Sequence, residues 1–524
     1  MNRYLPWVLV LGRLGALTLL APAYAAFSDD CATRLLLAQE WARVPFISAQ
    51  IPWLPLPMIL TGGVARITGL EALTAGLAIN ILLSACLPLF VRPLLASLPP
   101  ARQAWALLAS ATLPWALYPG VSGLAEPLFW ALSLGMMSGY LNNNPWRLMF
   151  CSALVCLTRY EGWILTAVLG VASVVRCHRQ GAGWRPLALG LAVAPLAWIL
   201  HQLVNGHLLL VFSVPMKDAT RMELGGGGLP RMLVFFVLAV MAAPLWIFLL
   251  PFFRRGLKHL PRATWIFIIL LYLVTTISGL GTALGQRNLV LPLILLLPAL
   301  VAGAPRILLS LVVVVQMAAL FHPERALNAG LQAERSYAVS CVREARRIFG
   351  NEAGVIIGQG APGHAYLGRH VALRTGAFAP PMWVDQVSPP DKIRGETREK
   401  HMPFESFGVG PDPLISHWRS HKMENALAGL EPRRREEVLR VHDIRMILLP
   451  KSETWPRRHG FVRVGGSGLL GVWVPESSRS LDLRLPDFQV SDDRRISLRE
   501  VLGRVQEQPL SRESFEALWQ VFLW

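Results

Sequence analysis

The sequence predicts a multi-pass α-helical membrane protein of about eleven transmembrane helices, followed by a C-terminal extracytoplasmic domain of mixed α/β type. Three observations carry that prediction. Apolar segments of about 15–25 residues recur up to residue 321, and a span needs roughly 20. Only 16% of the 524 residues are charged, against roughly 25% in soluble domains. Near residue 322 the long apolar runs stop and charges of both signs become common.

The spans read, in order, as 4–26, 72–97, 103–118, 122–141, 147–158, 161–176, 186–210, 231–252, 263–281, 287–303 and 306–321. Charge tests their parity. With the N-terminus inside, Arg92 to Arg102, Arg147, Arg176 to Arg185, Arg254 to Arg262 and Arg306 all fall in the cytoplasm. Asp29, Asp30, Glu40, Glu71, Glu126, Glu161, Asp218 and Glu223 fall outside or at the outer interface. Basic residues held inside are the expected pattern of a cytoplasmic membrane. The formal net charge of +17 therefore reads as topology, and nucleic acid is not an expected partner.

The N-terminus imitates a signal peptide, with Arg3, an apolar stretch and Ala23-Tyr24-Ala25. An uncleaved first helix is expected instead, because later spans need it for packing. The six cysteines form no C-x-x-C pair, so no metal or redox motif is supported. Cys31 and Cys341 would both lie outside, where a disulfide is chemically allowed, but none is expected.

Residues 27–71 form a long first outer loop. From Asp30 to Arg43 it has helical periodicity, with Leu35, Leu36, Ala38 and Ala42 set against Arg34, Gln39 and Arg43. That predicts a helix lying in the interface, with Asp29 or Asp30 near its N-terminus as a cap. The proline-broken PWLPLPMIL, residues 52–60, returns the chain to the membrane. Beyond 322, residues 333–350 read as a helix. AGVIIGQG, IRMILLP and GLLGVWVP read as strands, residues 380–420 as a long loop, and the last thirty or so residues as helical.

Several constellations can carry chemistry. Asp29 and Asp30 directly follow an apolar run: a carboxylate there can act as general base, hold a divalent cation, or simply cap the helix. Glu126 opens a span, where the helix dipole also tolerates acid. Arg159, Tyr160 and Glu161 interrupt an apolar region. One continuous span would bury them at mid-depth, at roughly 2.5–3.5 kcal/mol for the arginine alone, so two short spans meeting at the outer face are expected. Arg287 sits at the outer end of a span, as a phosphate ligand or an interfacial anchor. Loop 211–231 adds Lys217, Asp218, Arg221 and Glu223 before four glycines, 225–228. Gly358, Gly360 and Gly363 have G-x-G-x-x-G spacing, but Pro362 and the outside placement argue against a dinucleotide site.

Taken in order, these pieces resemble the GT-C class of integral-membrane glycosyltransferases, in the branch of protein O-mannosyltransferases and lipid A aminoarabinose transferases. SDDCATRLLLAQEWAR is similar to the acidic motif opening the family's first outer loop, and PWLPLP to its proline-rich end. GLAEPLFWALSLG resembles the "SEPLF" segment. LTRYEGWILT resembles "LTRPEG", with Tyr160 where proline is frequent. GQRNLVLPLILLLP resembles "RYLLPLLP", with Asn288 in place of an aromatic.

The resemblance implies a catalytic membrane domain over 1–321 and a soluble domain over 322–524. It implies a polyprenyl-phosphate-linked sugar donor and an inverting transfer to a lipid, glycan or protein hydroxyl outside the cytoplasmic membrane. Asp29 is the implied base, with Asp30 close behind, and Glu126 a second catalytic carboxylate. Arg287, Arg159, Lys217 and Arg221 are implied ligands of the donor phosphate, with Glu161 and Tyr160 supporting. No cofactor is required, although a divalent cation fits the acidic pair. The competing readings are a transporter or flippase of a lipid-linked substrate, with binding near the midplane, and a non-catalytic envelope scaffold.

Overall fold

The computed structural model describes residues 4–24, 29–43, 45, 54–181, 183–204, 249–278, 286–319, 324–350, 354–357, 436, 439–440, 443–450, 454–467 and 470–485. The described helices of the charge-poor part are α1 (Leu5–Tyr24), α2 (Asp29–Arg43), α3 (Leu56–Thr68), α4 (Ala72–Ala85), α5 (Leu87–Val91), α6 (Pro100–Ala111), α7 (Pro114–Leu117), α8 (Glu126–Leu141), α9 (Pro145–Cys156), α10 (Glu161–Arg179) and α11 (Arg185–Val204), then α12 (Leu250–Gly256), α13 (Arg262–Ser278), α14 (Gln286–Gly303) and α15 (Arg306–Ala319).

Proline sets many of these helix starts. Pro57, Pro100, Pro127 and Pro145 occupy first turns, where no intrahelical donor is lost. Asn144 caps α9 by accepting from the Arg147 N–H at 2.9 Å. Gly69, at φ 71°, ends α3 in the left-handed conformation.

Every expected span contains a described helix except 231–252, of which only the last residues are described. The count of eleven is not confirmed helix by helix. Among the described residues, only Arg185–Val204 is by itself long and apolar enough to cross a membrane, and Leu56–Thr68 with Ala72–Ala85 passes jointly though bent by 115°. Several of the others are short because the chain breaks them. Span 72–97 divides at Cys86, with Pro88 and Pro93 in the pieces that follow. Span 103–118 divides between Ala111 and Pro114. The first loop also holds a helix, α3, where the sequence suggested only a broken return.

Helix α1 is built into the bundle. Arg13 is 4% exposed. Its Nε donates to the Ser84 carbonyl at 2.9 Å, one terminal nitrogen to the Ser84 hydroxyl at 2.9 Å, and the other to the Ala111 carbonyl. These carbonyls belong to the last turns of α4 and α6, which helix geometry leaves without partners. Without α1 these carbonyls would lose the donors that Arg13 supplies.

The largest apolar core runs through α5, α6, α8, α9, α10, α13, α14 and α15, around Trp130, Met136, Phe267, Leu291 and Leu295. Basic residues gather at one end of it. Arg102 donates to the Val301 and Ala304 carbonyls at the end of α14. Arg176 donates to the Tyr140 carbonyl and to Asn143. Gly256, close to Arg254 and Arg255, packs its α-carbon so tightly on Ala299 that a Cβ would overlap the carbonyl. The starts of α8, α10 and α14 lie at the opposite end.

After α15 comes α16 (Glu324–Phe349), longer than the expected 333–350, and a four-stranded sheet of order β1-β2-β4-β3. The strands are β1 (Gly354–Ile357), β2 (Ile444–Pro450), β3 (Phe461–Gly466) and β4 (Leu470–Pro475). β1 pairs parallel with β2, and β4 pairs antiparallel with β2 and β3. Alternation along β2 explains why both sheet faces are covered. Met446 and Leu448 pack with Val472 and Val474 against Tyr337, Cys341, Val342 and Ala345 of α16. Ile447 and Leu449 join Trp473, Phe461 and Leu439 on the other face. The three expected strands are present and β3 is additional. All six cysteines are free, Cys31 and Cys341 both buried. Residues 358–435 and 486–524, which hold the G-x-G-x-x-G glycines, the expected loop and the expected terminal helix, lie outside the described residues.

Candidate functional site

Three helix ends meet around Arg159. Glu126 is the first residue of α8 and Glu161 the first of α10, and helix N-termini favour carboxylates. Arg159 lies in the turn leaving α9, held there by its own N–H and that of Thr158, both donating to the Val155 carbonyl. A helix C-terminus favours a cation, so each charge sits where backbone dipoles stabilise it. One Arg159 terminal nitrogen donates to Glu126 Oε1 at 2.5 Å. The other donates to Glu161 Oε1 at 2.7 Å and Nε to Glu161 Oε2 at 3.2 Å, a two-point grip. The side chains of Arg159, Glu126 and Glu161 are 10%, 2% and 15% exposed. Two short helices meeting at a polar turn, rather than one span with buried charges, is the arrangement the segment predicted.

A small cavity adjoins this cluster. Glu126 and Glu161 line it together with Phe129, Trp130, Phe267, Leu271, Leu291 and Pro292. Arg287 lies in the first turn of α14, one turn before Leu291 and on the same helix face. The late arginine motif is thereby placed at the cluster's end of the bundle.

The first loop is tied to the same end. The Leu56 N–H donates to the Leu157 carbonyl at 3.0 Å, joining the PWLPLP segment to the turn that carries Arg159. Helix α2 is seated by Leu35, which fills the space where a Cβ on Gly76 or Gly123 would stand, at 2.5 and 2.6 Å. Gly123 is three residues before Glu126. Leu35 to Ala38 are all buried, so α2 is covered on more sides than an interfacial helix. Asp29 and Asp30 open α2. Arg34, one turn beyond Asp30 on the same face, lies within electrostatic reach of Glu161. The backbone thus brings the acidic pair to the end of the bundle that holds Glu126, Arg159 and Glu161.

Sequence reasoning missed two residues here. Arg34 was read only as part of a polar face, yet it lines a second small cavity with Thr61, Asn80 and Leu124. Its signal was a basic residue one turn after two aspartates. Asn80 is buried and its Nδ2 donates to the Leu124 carbonyl at 2.8 Å and to the Ser122 carbonyl, which fixes the approach to Glu126. An asparagine inside an apolar run was the available signal. Tyr160 packs against Trp163 with ring centroids 5.6 Å apart and the rings tilted by 60°. Lys217 and Arg221 lie outside the described residues. Among the described residues no group of three or more His, Cys, Asp and Glu side chains is placed to hold a metal ion.

No protein-family model matches the sequence, and no curated protein matches it. Among solved structures, the chain superposes on the crystal structure of ArnT from Cupriavidus metallidurans bound to undecaprenyl phosphate. The TM-score is 0.52 at 15% identity, with 92% of this chain and 99% of that chain covered. The fold is of the GT-C type. An oligosaccharyltransferase from Archaeoglobus fulgidus, in complex with Zn and sulfate, also matches, at TM-score 0.44 and 10% identity, over 85% of this chain and 68% of that one. The GT-C likeness to ArnT spans both the helical part and the region after residue 322, since nearly all of each chain is covered. It concerns the fold; the site residues rest on their own geometry.

Proposed function

We propose that this chain transfers a sugar from a polyprenyl-phosphate-linked donor to an acceptor hydroxyl at the outer face of the cytoplasmic membrane, with inversion. The observation that supports it most is the buried Arg159–Glu126–Glu161 cluster beside a small apolar-lined cavity, in a chain of GT-C fold. A lipid-linked sugar needs charged groups where its phosphate meets the sugar and apolar surface nearby for its tail. The ArnT structure was solved with undecaprenyl phosphate bound, the carrier class proposed here.

In this reading Asp29 takes the proton of the acceptor hydroxyl, and Asp30 sits in the first turn of α2, where the helix dipole favours a carboxylate. The freed oxygen attacks the anomeric carbon, the bond from that carbon to the phosphate oxygen breaks, and polyprenyl phosphate leaves as an anion. A single displacement inverts the anomeric centre. Arg287, Lys217 and Arg221 hold the departing phosphate, where developing charge is best stabilised by fixed donors. Arg159 already donates from three nitrogens to two carboxylates. Its contribution to the phosphate is therefore its field, and its main task is to aim Glu126 at the acceptor with Glu161 as support. The acceptor is a lipid, glycan or protein hydroxyl, and no cofactor is required, although a divalent cation fits the acidic pair.

Separate Asp29→Asn and Asp30→Asn variants test the base. Loss of a general base lowers transfer by about 10²–10⁴-fold, so Asp29→Asn is expected to be inactive with an unchanged melting temperature. An inactive Asp30→Asn beside an active Asp29→Asn moves the assignment by one residue. Full transfer by both removes a first-loop base altogether.

A further inference from the structure

The end of the bundle opposite Glu126 carries cations with no carboxylate to meet them. From residue 72 to 217 the only acidic residues are Glu126 and Glu161, and from 224 to 323 there is none. Arg102 and Arg176, at this end, are occupied with backbone carbonyls. Four other cations share one elbow, where α12 runs through a short 3-10 turn, Leu257–His259, into α13. Arg254, Arg255, Lys258 and Arg262 are all exposed there. The side chains of Arg254, Lys258 and Arg262 make no hydrogen bond or ion pair with any described residue. The elbow is fixed to α14. Gly256 packs on the Ala299 carbonyl, and a Cβ on Gly303 would stand 2.7 Å from the Phe252 carbonyl and 3.0 Å from Arg255 Cβ. Phe253 meets Trp265 edge to face, with centroids 5.1 Å apart. Beyond the cations the surface turns apolar. Ile266, one turn after Arg262 on the same helix face, is exposed, as are Ile269 and Leu270.

We propose that this elbow binds an anionic diacyl phospholipid, with its headgroup phosphate against Arg254, Lys258 and Arg262 and its chains along Ile266, Ile269 and Leu270. The site lies apart from the transfer site and stands without it. Charge and shape together select the occupant. Like charges held on one rigid elbow repel, and none of the segments packed on it supplies a counter-charge. The counter-charge therefore comes from outside the chain. An apolar face that continues from the cations fits a molecule carrying both a phosphate and acyl chains. A free phosphate ion or an acidic protein segment leaves that face unused. Trp265 sits between the two regions, where amphipathic rings mark the headgroup level. Basic pockets beside transmembrane helices recognise anionic headgroups, at a gain for each Lys or Arg near the surface. A zwitterionic phospholipid brings its own cation and gains less.

The test uses the full chain, delipidated in detergent micelles, and native mass spectrometry with phosphatidylglycerol, phosphatidylcholine and inorganic phosphate as probes. Wild type is expected to bind phosphatidylglycerol more tightly than phosphatidylcholine, by roughly tenfold or more. A triple variant, Arg254→Gln with Lys258→Gln and Arg262→Gln, should weaken phosphatidylglycerol roughly fivefold for each cation removed and leave phosphatidylcholine unchanged. A control triple, Arg147→Gln with Arg179→Gln and Arg185→Gln, removes the same charge from other loops of the same end. It should leave phosphatidylglycerol binding largely unchanged, because separated surface charges are screened. If the elbow triple does not fold, Lys258→Gln alone should show the loss of one cation. Equal affinity of wild type for the two lipids overturns the proposal. So does phosphatidylglycerol binding that both triples weaken alike, or that neither weakens. Displacement of the lipid by an equal concentration of inorganic phosphate makes the elbow an anion site and overturns it as a lipid site. Binding of neither lipid overturns it too and leaves the cations to an acidic protein partner.

Discussion

Arg159 and Glu126 form a 2.5 Å ion pair although 33 residues separate them, and Glu126 is 2% exposed in it. Breaking a buried pair from one side leaves a charge without compensation, at about 3–5 kcal/mol. Arg159→Met strands two carboxylates, whereas Glu126→Gln leaves Arg159 gripping Glu161 and an amide still able to accept. Arg159→Met should therefore destabilise the protein clearly more than Glu126→Gln, and both should lower sugar transfer. Melting temperatures in one detergent check the order; equal losses would contradict it.

The seat of α2 predicts a compensating pair. A Cβ on Gly123 would stand 2.6 Å from Leu35 Cγ and Cδ1, so Gly123→Ala should cost about 1–3 kcal/mol by overpacking. Leu35→Ala opens a cavity and costs about 2–5 kcal/mol. Together the two substitutions should cost less than their sum, by about 0.5–3 kcal/mol, since the new methyl fills the vacated space. A double-mutant cycle measures this, and strict additivity would mean that Leu35 does not sit on Gly123.

Acid should loosen α16 through Glu344. Its carboxylate accepts two hydrogen bonds from Arg347, at 2.9 and 2.7 Å, and the Arg484 N–H at 2.7 Å. The Arg347 hydrogen bonds, with help from Arg484, pull its pKa from the ordinary 4.5 to about 2. A depressed carboxylate stabilises the folded state above its unfolded value and loses that contribution as pH falls toward the folded one. Hydrogen exchange of α16 in the full-length protein should show wild type better protected than Glu344→Gln at neutral pH. The difference should shrink between pH 4.5 and about 2. A difference that does not change over that window would remove Glu344 as its source.

Much of the helical layout was legible because charge marks helix ends. Glu126, Arg159 and Glu161 interrupt apolar runs, and two of them begin helices where the sequence suggested. Apolar runs carry less information about where a helix breaks or what it touches. Nothing in residues 4–26 names the Ser84 and Ala111 carbonyls that Arg13 satisfies, because those partners exist only once α4 and α6 have ended beside α1. Helix α3 was hidden by prolines that open it rather than break it. Strand β3 was hidden because FVRVGG has only a short alternation before its glycines. The association of Asp29 and Asp30 with Glu126 could be inferred from topology alone, but their seat, through Leu35, Gly76 and Gly123, required the fold.

The central claim is that this chain moves a sugar from a polyprenyl phosphate to an envelope acceptor. Mass spectrometry of envelope lipids and glycans, from cells with and without the protein, tests it most directly. Removing the protein should delete one sugar of defined mass from an acceptor and leave its polyprenyl-phosphate-linked form to accumulate, and wild type but not Asp29→Asn should restore it. An envelope with every glycan and lipid mass unchanged on removal of the protein would contradict the claim.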